Sequence, residues 1–526
     1  MKKYIVMGLC AASALLIIPS CKKESFGDFY RNPSKVTETT VEKQFAGMLY
    51  AYRQLTVPDY RNYFVTILPT IARYIQIDGW ANEANQLIPG AAAIDDRWSR
   101  YYEGLAQFRE LETVYHSSDE IVQSETRIFL LAAKIFFYDQ TQQIVDIHGS
   151  IPWSEAGKLS SNGGDYTVSY SAYDSAEDIY TTMLDDLKSI STELNGLTIP
   201  STSGFANQDL INNGDLDLWK KYCNSLRVRM LTRISDAGSF SSRAQSELAE
   251  IIENPSTYPL ILTNADNAQL DVFDPSTGIN ATGFQDALES WNGNIAGKKM
   301  IDHMNENKDP RLPFVFEPGA EADDEFIGLD PMLTSSVQSN LITGPASSGG
   351  GTLAIYNRST FSRNDYFPGI LITASEVNFL LSEYYQNAGN SSTAQTYFED
   401  GITESIALFQ EIRSVSNDNI TPAADAPSQT AINDYIERIG WGTNNIQLIA
   451  MQKWLHFNMM QPYQNWAEVR RLDYPTFEFR LDPSDNQKTV PVKWNLPSSE
   501  PTYNGENYSV VADQDNVNTK LFWDVN

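Results

Sequence analysis

Apolar side chains recur three and four residues apart over long stretches of this chain, which is the signature of amphipathic helix. Phe45, Met48, Leu49, Tyr52 and Leu55 predict a helix over Glu42–Leu55, and Trp98, Tyr102, Leu105, Phe108 and Leu111 another over Arg97–Tyr115. Ser124–Gln142 is apolar nearly all round, so it is expected to be a central, buried helix. Ile179, Met183, Leu184, Leu187, Ile190 and Leu194 carry the period through Ser175–Leu194. Asp217–Ser235 follows, with Asp215 or Asp217 placed to cap its start, and Ser242–Ile252 ends before Asn254-Pro255. Between about 255 and 370 turn residues are dense, and Pro345 and Gly349-Gly350-Gly351 argue against long helices. Helical spacing returns at Ala374–Gln386, Ser392–Gln410, Thr430–Ile439 and Ile446–Met459. Prolines at 475, 483, 491, 497 and 501 leave the tail to turns and short strands.

Ala374–Gln410 reads as a helical hairpin. Val377, Leu380, Leu381 and Tyr384 face one way on its first helix, Gly389 sits in the turn, and Ala394, Phe398, Ile402 and Ile406 line the second. Two such helices in ~34 residues, with Ala-x3-Phe in the second, fit the tetratricopeptide period, and the earlier helices could pair in the same way.

The first residues describe an export signal. Lys2 and Lys3 precede an apolar run from Tyr4 to Ile18, too short for a permanent span, which takes about twenty residues. Ile18-Pro19-Ser20-Cys21 resembles a bacterial lipobox, with Pro19 where a small or hydroxylated residue is usual. Residues 1–20 are thus expected to be removed, Cys21 to carry lipid, and 21–35 to form a tether. The chain has three cysteines, so only Cys223 remains in the folded body; it lies in the apolar-periodic Leu218–Leu231 stretch and reads as a small buried hydrophobe.

Composition narrows the partners. Formal net charge is −29, and loss of Lys2 and Lys3 with the signal brings the mature chain to about −31. Such a field repels nucleic acid and anionic headgroups, so attachment to a membrane must come from acyl chains. Aromatic residues, at 12%, exceed the usual share and demand many ring-packing sites.

The chemistry of an enzyme is not apparent. His116, His148, His303 and His456 stand far apart with no H-E-x-x-H or Cys/His cluster. Gly293–Lys298 has three residues between its glycines where a phosphate loop needs four, and no G-x-S-x-G elbow is present. Carboxylates could pair to cleave a glycosidic bond, but 67 acidic residues guarantee chance pairs. Glycoside hydrolase is the least favoured class; no catalytic residue, metal or cofactor is expected.

Several segments, in order along the chain, resemble the SusD/RagB family of nutrient-binding outer-membrane lipoproteins, particularly its SusD-like second subgroup. Ile147-His148-Gly149-Ser150-Ile151-Pro152-Trp153-Ser154-Glu155-Ala156 is similar to the family's G-x-hydrophobic-P-aromatic-S-E-A turn. Trp219 with Asn224-Ser225-Leu226-Arg227 is similar to its W-x4-N-S-L-R-x-R helix, and Asp309-Pro310-Arg311 to its D-P-R element. Ala374–Glu383 resembles the A-E-V-N-F-L-x-A-E helix, with Ser375 and Ser382 as departures. Gln452-Lys453-Trp454 and Trp466-Ala467-Glu468-Val469-Arg470-Arg471 match Q-K-W … W-x-E-x-R-R, and Thr519–Asp524 resembles the T-K-hydrophobic-W-W-D ending, with Phe522 for one Trp.

The resemblance implies a mostly α fold in which about four tetratricopeptide-like units form a superhelix carrying an irregular, loop-rich ligand-binding subdomain. Residues 36–526 would be one domain: scaffold at about 36–254 and 374–470, irregular subdomain at 255–373, helix-poor tail at 474–526. It also implies a non-catalytic surface protein that captures oligosaccharide for a SusC-like TonB-dependent outer-membrane barrel; a peptide-binding or structural lipoprotein on the same scaffold is the alternative. Physically, Arg470, Arg471, Glu468 and Glu376 read as buried ion pairs fixing helix packing, Asp309 as a turn cap, and Trp219, Trp454 and Trp466 as core.

A sugar offers an apolar C–H face ringed by hydroxyls, so its binder needs exposed rings with polar side chains around them. Three loops outside helical periodicity qualify: Asp78–Glu83 with Trp80 and Asn82, Glu289–Asn294 with Trp291 and Asn292, and the aromatic-polar run with Tyr356, Arg358, Phe361 and Tyr366. Stacking on Trp80 and Trp291, with Asn82, Asn292 and Arg358 bonding polar groups, is the expectation; local loop packing is the competing role for each ring.

Replacing Cys21 by Ala is expected to move the protein from the membrane pellet to the soluble fraction of cells, read by fractionation and immunoblot; retention in the pellet without detergent counts against lipidation.

Overall fold

A computed structural model describes residues 39–342 and 351–526. The expected signal, Cys21, the whole expected tether and residues 343–350 lie outside the described residues.

Helices of ten residues or more, in chain order, are α1 (Val41–Thr56), α2 (Ala91–Ser117), α3 (Arg127–His148), α4 (Ala176–Gly196), α5 (Leu216–Arg233), α6 (Ser241–Glu253), α7 (Lys298–Asn307), α8 (Ala374–Asn387), α9 (Ser391–Ser414), α10 (Gln429–Ile439), α11 (Asn445–Phe457) and α12 (Pro462–Leu472). A π-helix, Arg61–Ala72, follows α1. The fold is mostly α, as the periodicity predicts, with element ends within a few residues of the expected ones for most helices. Capping explains several starts: Asp215 accepts from the N–H groups of Asp217 and Leu218, and Ser175, Thr373 and Ser428 each hold one N–H of the following turn. α3 is buried along almost its whole length and is the axis of the core.

Helices pack as antiparallel neighbours: α1 on α2, α4 on α5, α8 on α9, and α11 on α12. Gly401 makes the α8–α9 contact close, since a Cβ there would stand 2.6 Å from the Phe379 ring. Among the described residues the strands are short and form three antiparallel pairs. Ile151–Pro152 (β1) pairs with Tyr173–Asp174 (β2), Ala268–Leu270 (β3) with Gly369–Ile372 (β6), and Phe316–Glu317 (β4) with Ile355–Tyr356 (β5).

The 255–373 stretch, expected to lack long helices, contains the ten-residue α7, whose apolar face (Met300, Ile301, Met304) is buried. Two expectations need correction. The tail has no strand among the described residues. Instead it holds two single-turn helices, Ser499–Tyr503 and Gly505–Tyr508, Pro501 sitting in a first turn where its missing N–H costs little. Arg470 makes no ion pair among the described residues: its guanidinium donates to the carbonyl oxygens of Trp466, Val492 and Asp146 and lies 3.8 Å from the Trp466 ring centroid.

The other charged positions do join the helices. Arg471 on α12 grips Glu383 on α8 through two bonds of 2.6 and 2.7 Å and also holds Glu468 at 2.7 Å. Lys453 on α11 donates to the same two carboxylates at 2.7 Å each. Arg233 on α5 reaches Glu468 at 3.2 Å and Asp146 on α3 at 2.8 Å. Tyr180 and the Trp523 indole N–H complete Asp146, bringing α4 and the tail to the same cluster. A second group sits beside it: Arg229 donates to Asp139 at 2.9 Å, to both oxygens of Glu376, and to the Leu371 carbonyl. All of these charged side chains are buried. Asp309 turns the chain as expected, accepting the Arg311 N–H at 2.9 Å, and pairs with its guanidinium as well.

Burial alone would raise the pKa of Glu383 and Glu468, but Arg471 and Lys453 outweigh it and hold both below the usual glutamate range. Their contribution to stability is complete above the unfolded-chain value of about 4.3 and is lost as pH falls below it. Arg471→Met leaves two buried carboxylates short of a partner, so urea unfolding at pH 7 should show a loss of about 3–5 kcal/mol. The double variant Arg471→Met/Glu383→Gln should lose less than the sum of the two single variants; additivity would mean the pair is not coupled.

Candidate functional site

An open cleft of about 490 Å³ lies between the π-helix, the loop after it and the 291–293 turn. Its first wall is the π-helix, which contributes Phe64, Leu68 and Pro69. Pro69 stands inside that helix and supplies no N–H, and wide helical turns of this kind recur at functional sites. The second wall is Asp78–Glu83, pinned to the irregular region by a backbone bond from Gly79 N–H to the Ile295 carbonyl (2.7 Å). Only glycine fits at 79: a Cβ would come within 2.9 Å of both Ile295 and Leu329. Gly293 allows the third wall to close on the π-helix, since a Cβ there would lie 2.6 Å from Leu68. Asn292 beside it adopts φ +57°, the left-handed conformation that asparagine tolerates.

The sequence-predicted residues separate into groups. Trp80, Trp291 and Asn292 line this one cleft. Trp291 is 71% exposed, so nearly its whole ring is offered to solvent. It continues an aromatic row: Phe64 lies 6.3 Å from it, and Tyr60 stacks on Phe64 at 5.0 Å and 19°. Trp80 is 9% exposed; its indole N–H donates to Gln86 (2.7 Å), and the Arg73 guanidinium stands 5.8 Å from its ring.

Asn82, Tyr356, Arg358 and Tyr366 are not where the sequence pattern put them. Asn82 turns inward, its amide donating to the Pro331 and Leu333 carbonyls while its backbone N–H is held by Gln338. Tyr356 is fully buried in β5, its hydroxyl on the Ile77 carbonyl and Asn458, so it has no face for a ligand. Arg358 is committed to Glu317, whose other oxygen takes the Thr421 hydroxyl. Phe361 is core, and Tyr366 lines a different cleft beside α9. A loop rich in rings and charges reads alike whether it covers a core or a ligand, and here the β4–β5 pair draws most of it inward.

Phe64, Arg73, Asp78 and Glu83 also line the cleft, and the sequence reading does not assign them a role. Arg73 and Glu83 form an ion pair at 2.5 Å across its mouth. Asp78 is 3% exposed, and its Oδ1 has no hydrogen-bond partner among the described residues. Burial pushes its carboxyl up to about 7, against the opposing pull of Arg73. Asp78 in its Asp-Gly-Trp setting was visible in the sequence, whereas Phe64 and Arg73 were hidden because Pro58 and Pro69 break the usual helical signature.

The profile described as "Starch-binding associating with outer membrane" (SusD-like_2) matches residues 79–497. The chain belongs to the SusD-like family. SusD-like proteins of known structure superpose over nearly its whole length. A chitin-binding protein aligns at TM-score 0.73 and 20% identity, covering 92% of this chain and 100% of its own. A Bacteroidetes AC2a SusD-like protein gives 0.73 and 17%, with 93% and 100% covered. A SusD homologue from Bacteroides fragilis gives 0.71 and 18%, with 92% and 100% covered. A search of curated proteins gives no match. Among the described residues of this SusD-like chain, no helix is long and apolar enough to cross a membrane.

Because Asp78 binds its proton up to about pH 7 when folded but only to about 3.9 when unfolded, it lowers stability as pH rises through that interval. Asp78→Asn should remove this slope, by on the order of 4 kcal/mol, and raise the melting temperature at pH 8 relative to wild type. Parallel stability-pH curves for the two proteins would show that Asp78 ionises normally.

Proposed function

We propose that this protein is a non-catalytic, lipid-anchored glycan-binding protein that captures oligosaccharide at the cell surface and passes it to a TonB-dependent outer-membrane barrel. The observation that carries the glycan reading is Trp291: a ring 71% exposed at a cleft that also offers apolar Phe64 and Leu68 and polar Arg73, Asp78, Glu83 and Asn292. Ring planes take the apolar C–H face of a sugar, and a soluble protein rarely leaves an indole so open without a partner for it. In the same cleft Asp78 offers a buried carboxyl whose Oδ1 has no hydrogen-bond partner among the described residues, and the Arg73–Glu83 pair offers both donors and acceptors. The matching family is described as starch-binding and one structural neighbour as chitin-binding, and both glycans are polymers of pyranose rings.

Anchoring is supported by the lipobox-like Cys21 and delivery by membership of the SusD-like family. A binding role is supported over a catalytic one by the absence of any nucleophile-base or metal constellation in the sequence. Trp291→Ala, at an exposed site, should leave the melting temperature unchanged and weaken oligosaccharide binding by at least about tenfold in calorimetry. Trp80→Ala should weaken it as well, at some cost in stability because that ring is buried. Binding that survives Trp291→Ala, or appears only with peptide pools, overturns the glycan assignment of this cleft.

A further inference from the structure

A second open cleft, about 320 Å³, shares no residue with the first. It lies where the chain leaves β3, beside the last turns of α9 and the Tyr366–Pro368 segment that leads into β6. Leu408 and Ile412 on α9 form an apolar floor, each 2% exposed. Phe273 and Val415 rise from it with 57% and 49% of their surface open, and Tyr366 is half-buried at the side. With the Leu408–Ile412 floor these two exposed side chains make one continuous apolar lining on one side of the cleft.

The rim has one sign of charge. Asp271 and Glu411 line it with Gln269, and no Lys or Arg does. Gln269 donates to Asp271 Oδ1 at 2.7 Å, while Oδ2 of Asp271 and the Glu411 carboxylate have no hydrogen-bond or ion-pair partner among the described residues. Burial raises the Asp271 pKa, Gln269 opposes this, and the Glu411 charge adds to the rise. The cleft is therefore short of proton donors. A hydrocarbon ligand would cap these carboxylates without bonding them, at a cost, and an anionic sugar would be repelled. A ring with one apolar face and several hydroxyl donors meets both requirements.

We propose that this is a second glycan-binding site, in which Phe273 supports the apolar face of a neutral or amino sugar and Asp271 and Glu411 accept its hydroxyl protons. The proposal rests on the glycan reading of the protein but not on the first cleft. Two sites on one body would also let a polymeric glycan bind more tightly than either site alone.

The test is calorimetry on the full chain with four soluble probes: maltohexaose, chitohexaose, a glucosamine hexamer and an oligogalacturonate, with crystals soaked in each. Wild type, Trp291→Ala, Phe273→Ala and Asp271→Asn/Glu411→Gln are compared, their folding checked by thermal unfolding. At least one neutral or amino hexamer should bind at two sites. Trp291→Ala should leave the second, Phe273→Ala should weaken that one by about tenfold or more, the double carboxamide should do the same, and the uronate should leave it empty. A single site abolished by Trp291→Ala, with Phe273→Ala within about twofold of wild type for every probe, overturns the second site and leaves the first standing. Loss on Phe273→Ala with no effect of Trp291→Ala has the opposite meaning. Failure of all four probes overturns both sites.

Discussion

The architecture depends on charge pairing inside the core. Three cations (Arg471, Lys453, Arg233) and three anions (Glu383, Glu468, Asp146) meet out of water, drawn from α3, α5, α8, α11 and α12. Each charge would be prohibitively costly there alone, so the cluster is stable only when all five helices are in register. Apolar packing between helices tolerates sliding; a bidentate Arg–carboxylate contact does not. The cluster thus specifies which helix faces which, over separations of more than two hundred residues. The segments that resemble the SusD-like family supply much of it: Glu383 comes from the Ala374–Glu383 helix and Lys453, Glu468 and Arg471 from the Gln452–Trp454 and Trp466–Arg471 helices, while Glu376 joins the neighbouring Arg229 group and Trp523 near the C-terminus donates to Asp146.

That rigid frame is what permits an exposed tryptophan and an uncompensated carboxyl to persist at its edge. The π-helix carries Phe64 and Leu68 to one side of the cleft, while Gly79 and Gly293 remove the Cβ atoms that would hold the other walls away. Asp78 is then buried with one oxygen unserved, a state that lowers stability as its carboxyl ionises. Stability is concentrated in the helices and polar demand is left unmet in the loops, which is how binding surfaces on scaffolds generally arise.

Long-period helices were legible because their signal is local: Phe45, Met48, Leu49 and Tyr52 lie on one face whatever else the chain does, and all four are buried. α7 and the Arg61–Ala72 helix were not, since glycine and proline at their ends and within them carry the same local signature as loops. Arg470 shows the limit for charges. Its neighbour Arg471 pairs with carboxylates, yet one step around the helix Arg470 meets carbonyl oxygens and the Trp466 ring instead. Sequence indicated a buried arginine but not what it touches.

The sequence by itself determined a mostly α scaffold and an acidic body, because periodicity is a property of neighbouring residues and net charge is a simple sum over the chain. Tertiary structure alone decided which rings face solvent. Trp291 and Tyr356 both stand in polar, turn-rich stretches, and nothing local distinguishes them. One lies at the edge of a cleft and the other beneath a strand pair, with its hydroxyl satisfied by residues 279 and 102 positions away. Exposure is a relation between distant segments, so the candidate binding residues could be narrowed only after those segments had been brought together.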